Sequence, residues 1–351
     1  MGHGAIDLHK KESQVRLVMD DGIIVDRRIA TRRESFTQVF GTVAPMRVLI
    51  EASTESEWVA CHLEHLGHAV VVADPNYAPM YGGRSRRVKT DLRDAAALAL
   101  ACGQGTYRAV HRRSVARRAV QVQLRVRDEL VQTRSRAISL IRAVTRAEGL
   151  RIRSGSAETF VRRLEALALP APLGALVRPL CQMLTTVTAE LRTIEERIAA
   201  LVAGDADMRR LTTYPGIGPI TAAAFVAAID DVTRFAGPGA VTNYLGLVPQ
   251  EHSSGEKQRR GHIVRSAQPR VQALLVQAAW RVWLSTRVDT AALRLWAQQV
   301  GRRRGARIAI VALARRIARV LFAMWRDGCD YHGARRQEPA VTPGLALGVS
   351  A

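Results

Sequence analysis

Lysine is almost absent from this chain. It stands only at positions 10, 11, 89 and 257, so 48 of the 52 basic residues are arginine. Cysteine is scarce too, with four residues at 61, 102, 181 and 329 and no Cys-x-x-Cys pair. That scatter argues against a disulfide framework and against a cysteine zinc site. No apolar stretch approaches membrane-spanning length, and no N-terminal hydrophobic run resembles a signal peptide. The expectation is a cytoplasmic, nucleoid-associated protein with no membrane partner. Negative charge is also short: 31 acidic residues against 52 basic ones leave a formal net charge of +21 and a pI near 11.2. A GC-rich genome would explain arginine in place of lysine, but not the excess of positive charge. The arginine fork matches phosphate oxygens, so the balance points to a nucleic-acid partner.

Length and apolar residues are plentiful: 351 positions, 48% hydrophobic, enough for two domains or more. The N-terminal part reads as strands alternating with helices. GAIDLHK opens a strand; ESQVRLVM and GIIVDRRIA continue the β pattern, with Asp20-Asp21-Gly22 as a hairpin turn between them. RESFTQVFGTV reads as a short amphipathic helix, and RVLIEAS as a buried strand ending in a glutamate. TESEWVACHLEHLG reads as a helix stopped by Gly67, and HAVVVADP as a strand stopped by Pro75. After a Gly/Pro/Tyr/Arg loop over 75–88, VKTDLRDAAALALA opens another helix. The order βββαβαβα predicts a mixed α/β layer of the ribonuclease-H shape.

Residues 108–153 carry thirteen arginines, with Val120, Leu124, Val131, Ile138 and Ile141 at heptad-like spacing among them. Residues 180–202 repeat that style with mixed charge. Together they predict a long antiparallel helical hairpin or a coiled coil, the latter a route to a dimer. From 206 the chain becomes mainly helical. Its last helix, RIAIVALARRIARVLFAMWRDG, is amphipathic with arginines on one face, either solvated or in contact with nucleic acid. Trp280, Trp283 and Trp296 are expected to pack a core rather than stack bases. Residues 333–351 read as a disordered tail. The expected domains are therefore 1–107 (α/β), 108–205 (arginine-rich, helical) and 206–332 (mainly α).

Asp91 and Asp94 stand three apart at the mouth of an alanine-rich helix. Alone, they are well explained as a helix start, with Thr90 or Asp91 as the cap and Asp94 favouring the dipole. Two other carboxylates change that reading. Asp7 lies inside an apolar strand, where a charge is costly without a partner or metal. Glu51 ends the apolar run RVLI. In a ribonuclease-H-like sheet the first and fourth strands are neighbours, so Asp7 and Glu51 can converge, while Asp91 and Asp94 share a helix face. Four carboxylates from three elements suit Mg²⁺ (or Mn²⁺). Two such ions would stabilise the attacking and leaving oxygens of phosphodiester chemistry.

PGIGPITA, at 215–222, has the pattern of a helix–hairpin–helix turn, in which hairpin amides face a backbone phosphate. A tight turn without a ligand is the plainer reading. EHSSGEK, at 251–257, is a polar loop followed by QRRG; Lys257, Arg259 and Arg260 would suit a phosphate. A serine hydroxyl needs activation to attack phosphorus, and His252 is the nearest candidate base. Cys61, His62, His65 and His68 cluster, but the break at Gly67 separates His68 from the rest and argues against zinc.

IDLHK, IEAS, KTDLRDA, YPGIGPITA, LGLVPQEHSSGEK and ALARRIARVLFAMWRDG, in this order, resemble the DEDD transposases of the insertion-sequence family numbered 110, which includes the Piv/MooV-type DNA invertases. The resemblance spans residues 4–331. It implies an N-terminal RuvC-like domain joined to a C-terminal transposase domain with the serine loop, in a recombinase that moves a mobile element through a circular intermediate. In the transposase branch a structured bridge RNA guides the enzyme by pairing with donor and target DNA. The family's acidic tetrad maps onto Asp7, Glu51, Asp91 and Asp94. Its nucleophilic serine maps onto Ser254, with Ser253 an adjacent competitor. The implied reaction is attack of Ser254 on the scissile phosphate, a covalent phosphoserine link, and assistance from metal held by the tetrad. The implied assembly is a homodimer or homotetramer whose active sites are composed across subunits.

Nucleic-acid contacts are expected at Lys89, Gly216, Gly218, Lys257, Arg259 and Arg260. Lys10, Lys89 and Lys257 all fall inside the matching motifs, as though the point charge of lysine is wanted there. One departure concerns the run after the serine loop. Many members carry a Gly-x-Ile-x-Lys-x-Gly-like pattern, whereas residues 261–267 read GHIVRSA. A RuvC-like metal-dependent nuclease or junction resolvase without a covalent serine intermediate is the alternative function. A non-catalytic nucleic-acid-binding protein is a third.

Overall fold

β-Rich, only partly alternating runs build a three-stranded meander from β1 (His3–Leu8), β2 (Glu12–Val18) and β3 (Ile24–Ala30). The expected turn joins β2 to β3: Gly22 takes φ +83°, and the Met19 amide donates to the Ile23 carbonyl at 2.9 Å. Next come α1 (Arg33–Phe40), β4 (Arg47–Glu51), α2 (Ser56–His65), β5 (Ala69–Ala73), a 3-10 turn (Ala78–Tyr81) and α3 (Asp91–Gln104). The sheet order is β3-β2-β1-β4-β5. β1, β4 and β5 run parallel, and the meander pairs antiparallel. This is the element order and mixed sheet that the sequence predicts. The computed structural model describes residues 2–82, 90–251, 260–264 and 268–331, in two compact units, Met1–Arg113 and Ser114–Ala351.

Strand alternation gives the sheet of the first unit two different faces. Ile6, Val48, Ile50 and Val72 face α1 and α2, where they meet Phe36, Phe40, Val59 and Leu63. Ala5, Leu49 and Ala73 face the other way, under Leu98, Ala99 and Cys102 of α3. Each large side chain so buried contributes about 1.5–3 kcal/mol relative to exposure. The small Ala-rich face lets α3 lie close to the strands.

The second unit begins with α4 (Val115–Ala147), α5 (Phe160–Glu165) and α6 (Ala171–Gly204). α4 and α6 form the expected antiparallel hairpin within one chain. Arg117 meets Asp205 at 2.6 Å, Arg127 meets Glu195 at 2.8 Å, and Ala137 and Ile141 pack with Val177 and Leu184. The apolar seam of α4 is thus covered by the chain's own α6. α6 is longer than the sequence predicts, because it starts at Ala171 and runs through Pro179. Ala175 and Pro179 are both exposed, so water can satisfy the carbonyl that a proline leaves unbonded. Val177 and Leu184, buried at 4% and 2% exposure, hold the helix across that break.

The remaining elements are α7 (Ala206–Thr212), α8 (Pro219–Ile229), α9 (Pro238–Tyr244), β6 (Pro249–Glu251), β7 (Arg260–Ile263), α10 (Pro269–Leu284), α11 (Ala291–Arg304) and α12 (Ala306–Arg326). α8 has no polar side: every residue from Thr221 to Ile229 is buried, and α4, α6, α7 and α10 pack around it. Trp283 and Trp296 pack against this core as expected. Trp280 does not; it is 39% exposed and lies edge-on to Trp283. Its position falls off the buried stripe Val271, Leu275, Ala278, Val282 of α10. Among the described residues no helix is long and apolar enough to cross a membrane. The predicted tail, 333–351, lies outside the described residues.

Candidate acidic metal centre

β1 and β4 pair in parallel with Ile6 opposite Ile50. The next residue of each strand is a carboxylate, Asp7 and Glu51, and alternation turns both to the face of Ala5 and Leu49, which α3 covers. α3 begins at this edge. Its cap is Thr90, whose hydroxyl accepts from the Arg93 amide at 3.4 Å and whose carbonyl accepts from the Asp94 amide at 3.0 Å. Capping therefore falls to Thr90 and not to Asp91. Asp91 and Asp94 follow in the first turn, one helical face apart by three residues. Asp94 is buried at 6% exposure, whereas the Asp91 side chain is half exposed.

His9, just past the end of β1, joins the group. Its Nε2 lies 3.3 Å from Asp7 Oδ2 and 3.6 Å from Asp91 Oδ1. Donor atoms of Asp7, His9 and Asp91 all lie within 4.8 Å of one another, the one such gathering among the described residues. Glu51 Oε2 accepts a hydrogen bond from the Tyr81 hydroxyl at 2.6 Å. The Asp7 carboxyl is pushed above the usual aspartate range. Burial is the largest cause; His9 opposes it, and the charges of Asp94, Asp91 and Glu51 add to it. Asp7 Oδ2 is buried and accepts no hydrogen bond. A buried carboxylate ringed by three others is unfavourable unless a cation shares the site. Carboxylate oxygens with one imidazole at the rim are donors that fit a divalent cation.

Two of these residues escaped the sequence reading. His9 carried a signal: two positions from Asp7, it has the strand period that places it on the same face. Tyr81 carried none, since it comes from the loop and its partner is thirty residues away.

The turn at 213–218 joins α7 to α8. Gly216 takes φ +84°, and a Cβ there would meet Val282 Cγ2 at 3.2 Å and the Ala278 carbonyl at 3.4 Å. This glycine is required by the fold. Gly218 differs: it is the N-terminal cap residue of α8, with φ −99°, and a Cβ there would meet nothing within 4 Å. It opens on a cleft of about 400 Å³ bordered by Thr221, Gln277, Arg281 and the Arg127–Glu195 pair.

β6 and β7 pair antiparallel, with Pro249 opposite Ile263 and Glu251 opposite Arg260. Gln272 of α10 ties the ladder down by donating to the carbonyls of Gly246 and Val264 at 2.7 and 3.2 Å. Residues 252–259, which connect these strands, lie outside the described residues, and with them His252, Ser253, Ser254, Lys257 and Arg259. Lys89 and the side chain of Arg260 lie outside as well. The histidines near Cys61 are engaged separately. His62 Nε2 meets Thr37 Oγ1 at 2.9 Å; buried His68 accepts from the Met46 amide at 3.3 Å and bonds the Phe40 carbonyl at 3.0 Å. They form no common metal site.

Comparison with known proteins covers both units. Residues 5–147 match a family model described as Transposase, of the DEDD type, and residues 208–294 match one described as Transposase IS116/IS110/IS902 family. The chain is 34% identical to a probable family 20 transposase of Pseudomonas aeruginosa, over 92% of this chain and 97% of that protein. It is 28% identical to the transposase for insertion sequence element IS1111A of Coxiella burnetii, over 84% and 83% of the two chains. It is also 28% identical to the transposase for insertion sequence element IS1328 of Yersinia enterocolitica, over 92% and 96%. With both halves matched in order and near full-length relatives, this chain belongs to the IS110 family of DEDD transposases.

Proposed function

We propose that this protein is the recombinase of an insertion sequence, and that it cuts and rejoins DNA through Ser254 with divalent metal held by Asp7, Glu51, Asp91 and Asp94. The observation that carries this reading is the gathering of Asp7, His9 and Asp91 donor atoms within 4.8 Å of one another on a β3-β2-β1-β4-β5 sheet, at the opening of α3, with Asp94 and Glu51 near enough to act on the Asp7 charge. That arrangement supports a RuvC-like, ribonuclease-H-like unit. Mg²⁺ (or Mn²⁺), when bound there, supplies charge neutralisation and Lewis-acid stabilisation at phosphate oxygens.

The chain's own residues divide the rest of the work. Asp7 is held by the rigid strand β1 and Glu51 by its bond from Tyr81, so both present oxygens at fixed positions. Asp91, at the exposed rim, is where a DNA phosphate has access. Ser254 Oγ attacks the scissile phosphorus; the Oγ–P bond forms as the bond to the leaving deoxyribose oxygen breaks. Attack by a second DNA hydroxyl reverses the step and releases the serine. Ser254 of one subunit serves the tetrad of another, in a homodimer or homotetramer. Target choice by a structured bridge RNA is supported by the family resemblance and by a net charge of +21. Gly218, open beside Arg127 and Arg281, suits backbone approach to a phosphate.

Ser254→Ala tests the reading. Strand exchange should fall by at least about three orders of magnitude, while affinity for donor DNA and for RNA transcribed from the element stays within about twofold. Exchange at the wild-type rate would remove the serine from the mechanism.

A further inference from the structure

The turn end of the α4/α6 hairpin holds a second cluster of unusual charge. Residues 134–165 contain eight arginines against three glutamates. Several arginines of this hairpin have protein partners. Arg127 pairs with Glu195, Arg134 with Glu158 at 3.0 Å, and Arg163 donates to the carbonyls of Arg153 and Ser156. Arg142, Arg146 and Arg151 are different. They border one cleft of about 500 Å³ with Thr145 and Ser154, and no carboxylate lines it. Among the described residues, none of the three forms an ion pair. The half-buried Arg142 guanidinium lies 5.6 Å from the centroid of the Phe160 ring, and its Nε is buried without an acceptor.

Arg142 is half-buried and Arg146 and Arg151 are exposed, so water screens their mutual repulsion, and an anion entering the cleft would be attracted by all three. Arg142 and Arg146 lie one turn apart on a rigid helix, about 6 Å along its axis. Guanidinium forks at that spacing suit the oxygens of one phosphodiester or of its neighbour. Residues 134–165 carry an excess of five positive charges, eight less three; three of these are the cleft's own arginines and two lie around it, which favours a polyanion over a single small anion. We infer that the turn end of the α4/α6 hairpin is a nucleic-acid backbone site, with Arg142, Arg146 and Arg151 as its phosphate ligands. The site is in a different unit from the acidic centre, and the inference does not depend on Ser254 or on metal.

The full-length protein tests it by titration, at several salt concentrations, with a labelled duplex DNA and a labelled RNA hairpin. The test variant carries Arg142→Gln, Arg146→Gln and Arg151→Gln. A control of equal charge carries Arg178→Gln, Arg192→Gln and Arg197→Gln on the exposed side of α6. A third variant, Arg146→Gln with Arg151→Gln, keeps Arg142 on Phe160 and guards against loss of fold, checked by Tm. The cleft variant should lose about tenfold or more in affinity, and its log–log salt slope should fall by about two to three. The double variant should lose about two of that slope, and the control less than one. Loss on DNA alone, RNA alone or both assigns the source of the phosphates. Equal losses in cleft variant and control would show only bulk charge, and no loss in the cleft variant on either probe would overturn the site outright.

Discussion

His9 Nε2 lies 3.3 Å from Asp7 Oδ2, just past the end of the strand that carries Asp7. The imidazole pairs with an oxygen, Asp7 Oδ2, that is buried and accepts no hydrogen bond. It stands where a cation is most needed, and it also reaches Asp91. His9→Ala should therefore weaken Mn²⁺ binding by about tenfold, at the low end of what loss of a supporting group costs a metal site. Isothermal titration with Mn²⁺ reads this directly, and unchanged affinity would make His9 a bystander.

Asp7 should trade stability for function. In the ion-free protein it is a buried carboxylate surrounded by others, so Asp7→Asn removes an unfavourable charge. We expect a gain of about 1 kcal/mol, a few degrees in Tm, at neutral pH. Strand exchange should disappear in the same variant. A fall in Tm without metal would mean that the Asp7 charge is already compensated by the protein.

The pH dependence follows in sign. Asp7 holds its proton to higher pH in the fold than in the unfolded chain. The folded state then binds more protons over that window, and the ion-free protein loses stability as pH rises through the raised value. Below the ordinary aspartate range both states are protonated and the contribution is fully present. Protons and metal compete for this carboxylate, so the Tm increase caused by Mg²⁺ should be larger at pH 8 than near pH 5. Differential scanning fluorimetry at the two pH values decides it; a shift independent of pH would contradict a site built on Asp7.

Tyr81 is placed to position Glu51: its hydroxyl donates to Glu51 Oε2 at 2.6 Å. Tyr81→Phe should lower strand exchange by roughly 10- to 100-fold, the usual cost of losing such a support, with recovery at raised metal concentration. Loss that metal does not rescue would place Tyr81 in the fold and not in the site.

The two glycines of the turn at 213–218 should separate. Gly216→Ala forces a side chain onto Val282 at a positive φ and should cost about 1–3 kcal/mol. Gly218→Ala meets open space and should leave stability within about 0.5 kcal/mol of wild type while weakening nucleic-acid binding. Loss of stability in both would reduce the motif to a turn.

Much of this was legible in the residues. An apolar, β-rich run announced β1, and Asp7 is the charge inside it on which the candidate site is built. The run RVLIE placed Glu51 at a strand end, and DLRDAAA announced α3. What stayed hidden came from tertiary pairing. Tyr81 finds Glu51 only because the sheet brings its loop to β4. The β6/β7 ladder is short, and its strands depend on Gln272 of α10 for part of their anchoring. α6 extends past Pro179 because packing against α4 outweighs the proline penalty of about 3 kcal/mol. Trp280 was expected inside because tryptophan is apolar, and helix phase put it outside.

The proposed reaction joins metal at the acidic centre to the Ser254 hydroxyl in one step. The direct measurement is capture of the covalent protein–DNA adduct, under conditions where the wild-type protein exchanges strands, followed by peptide mapping of the attachment site. An adduct on Ser254 is expected in the wild type, none in Ser254→Ala, and none in Asp94→Asn although that variant folds and binds DNA. An adduct that persists in Ser254→Ala, or DNA cleavage by hydrolysis with no adduct at all, would contradict it.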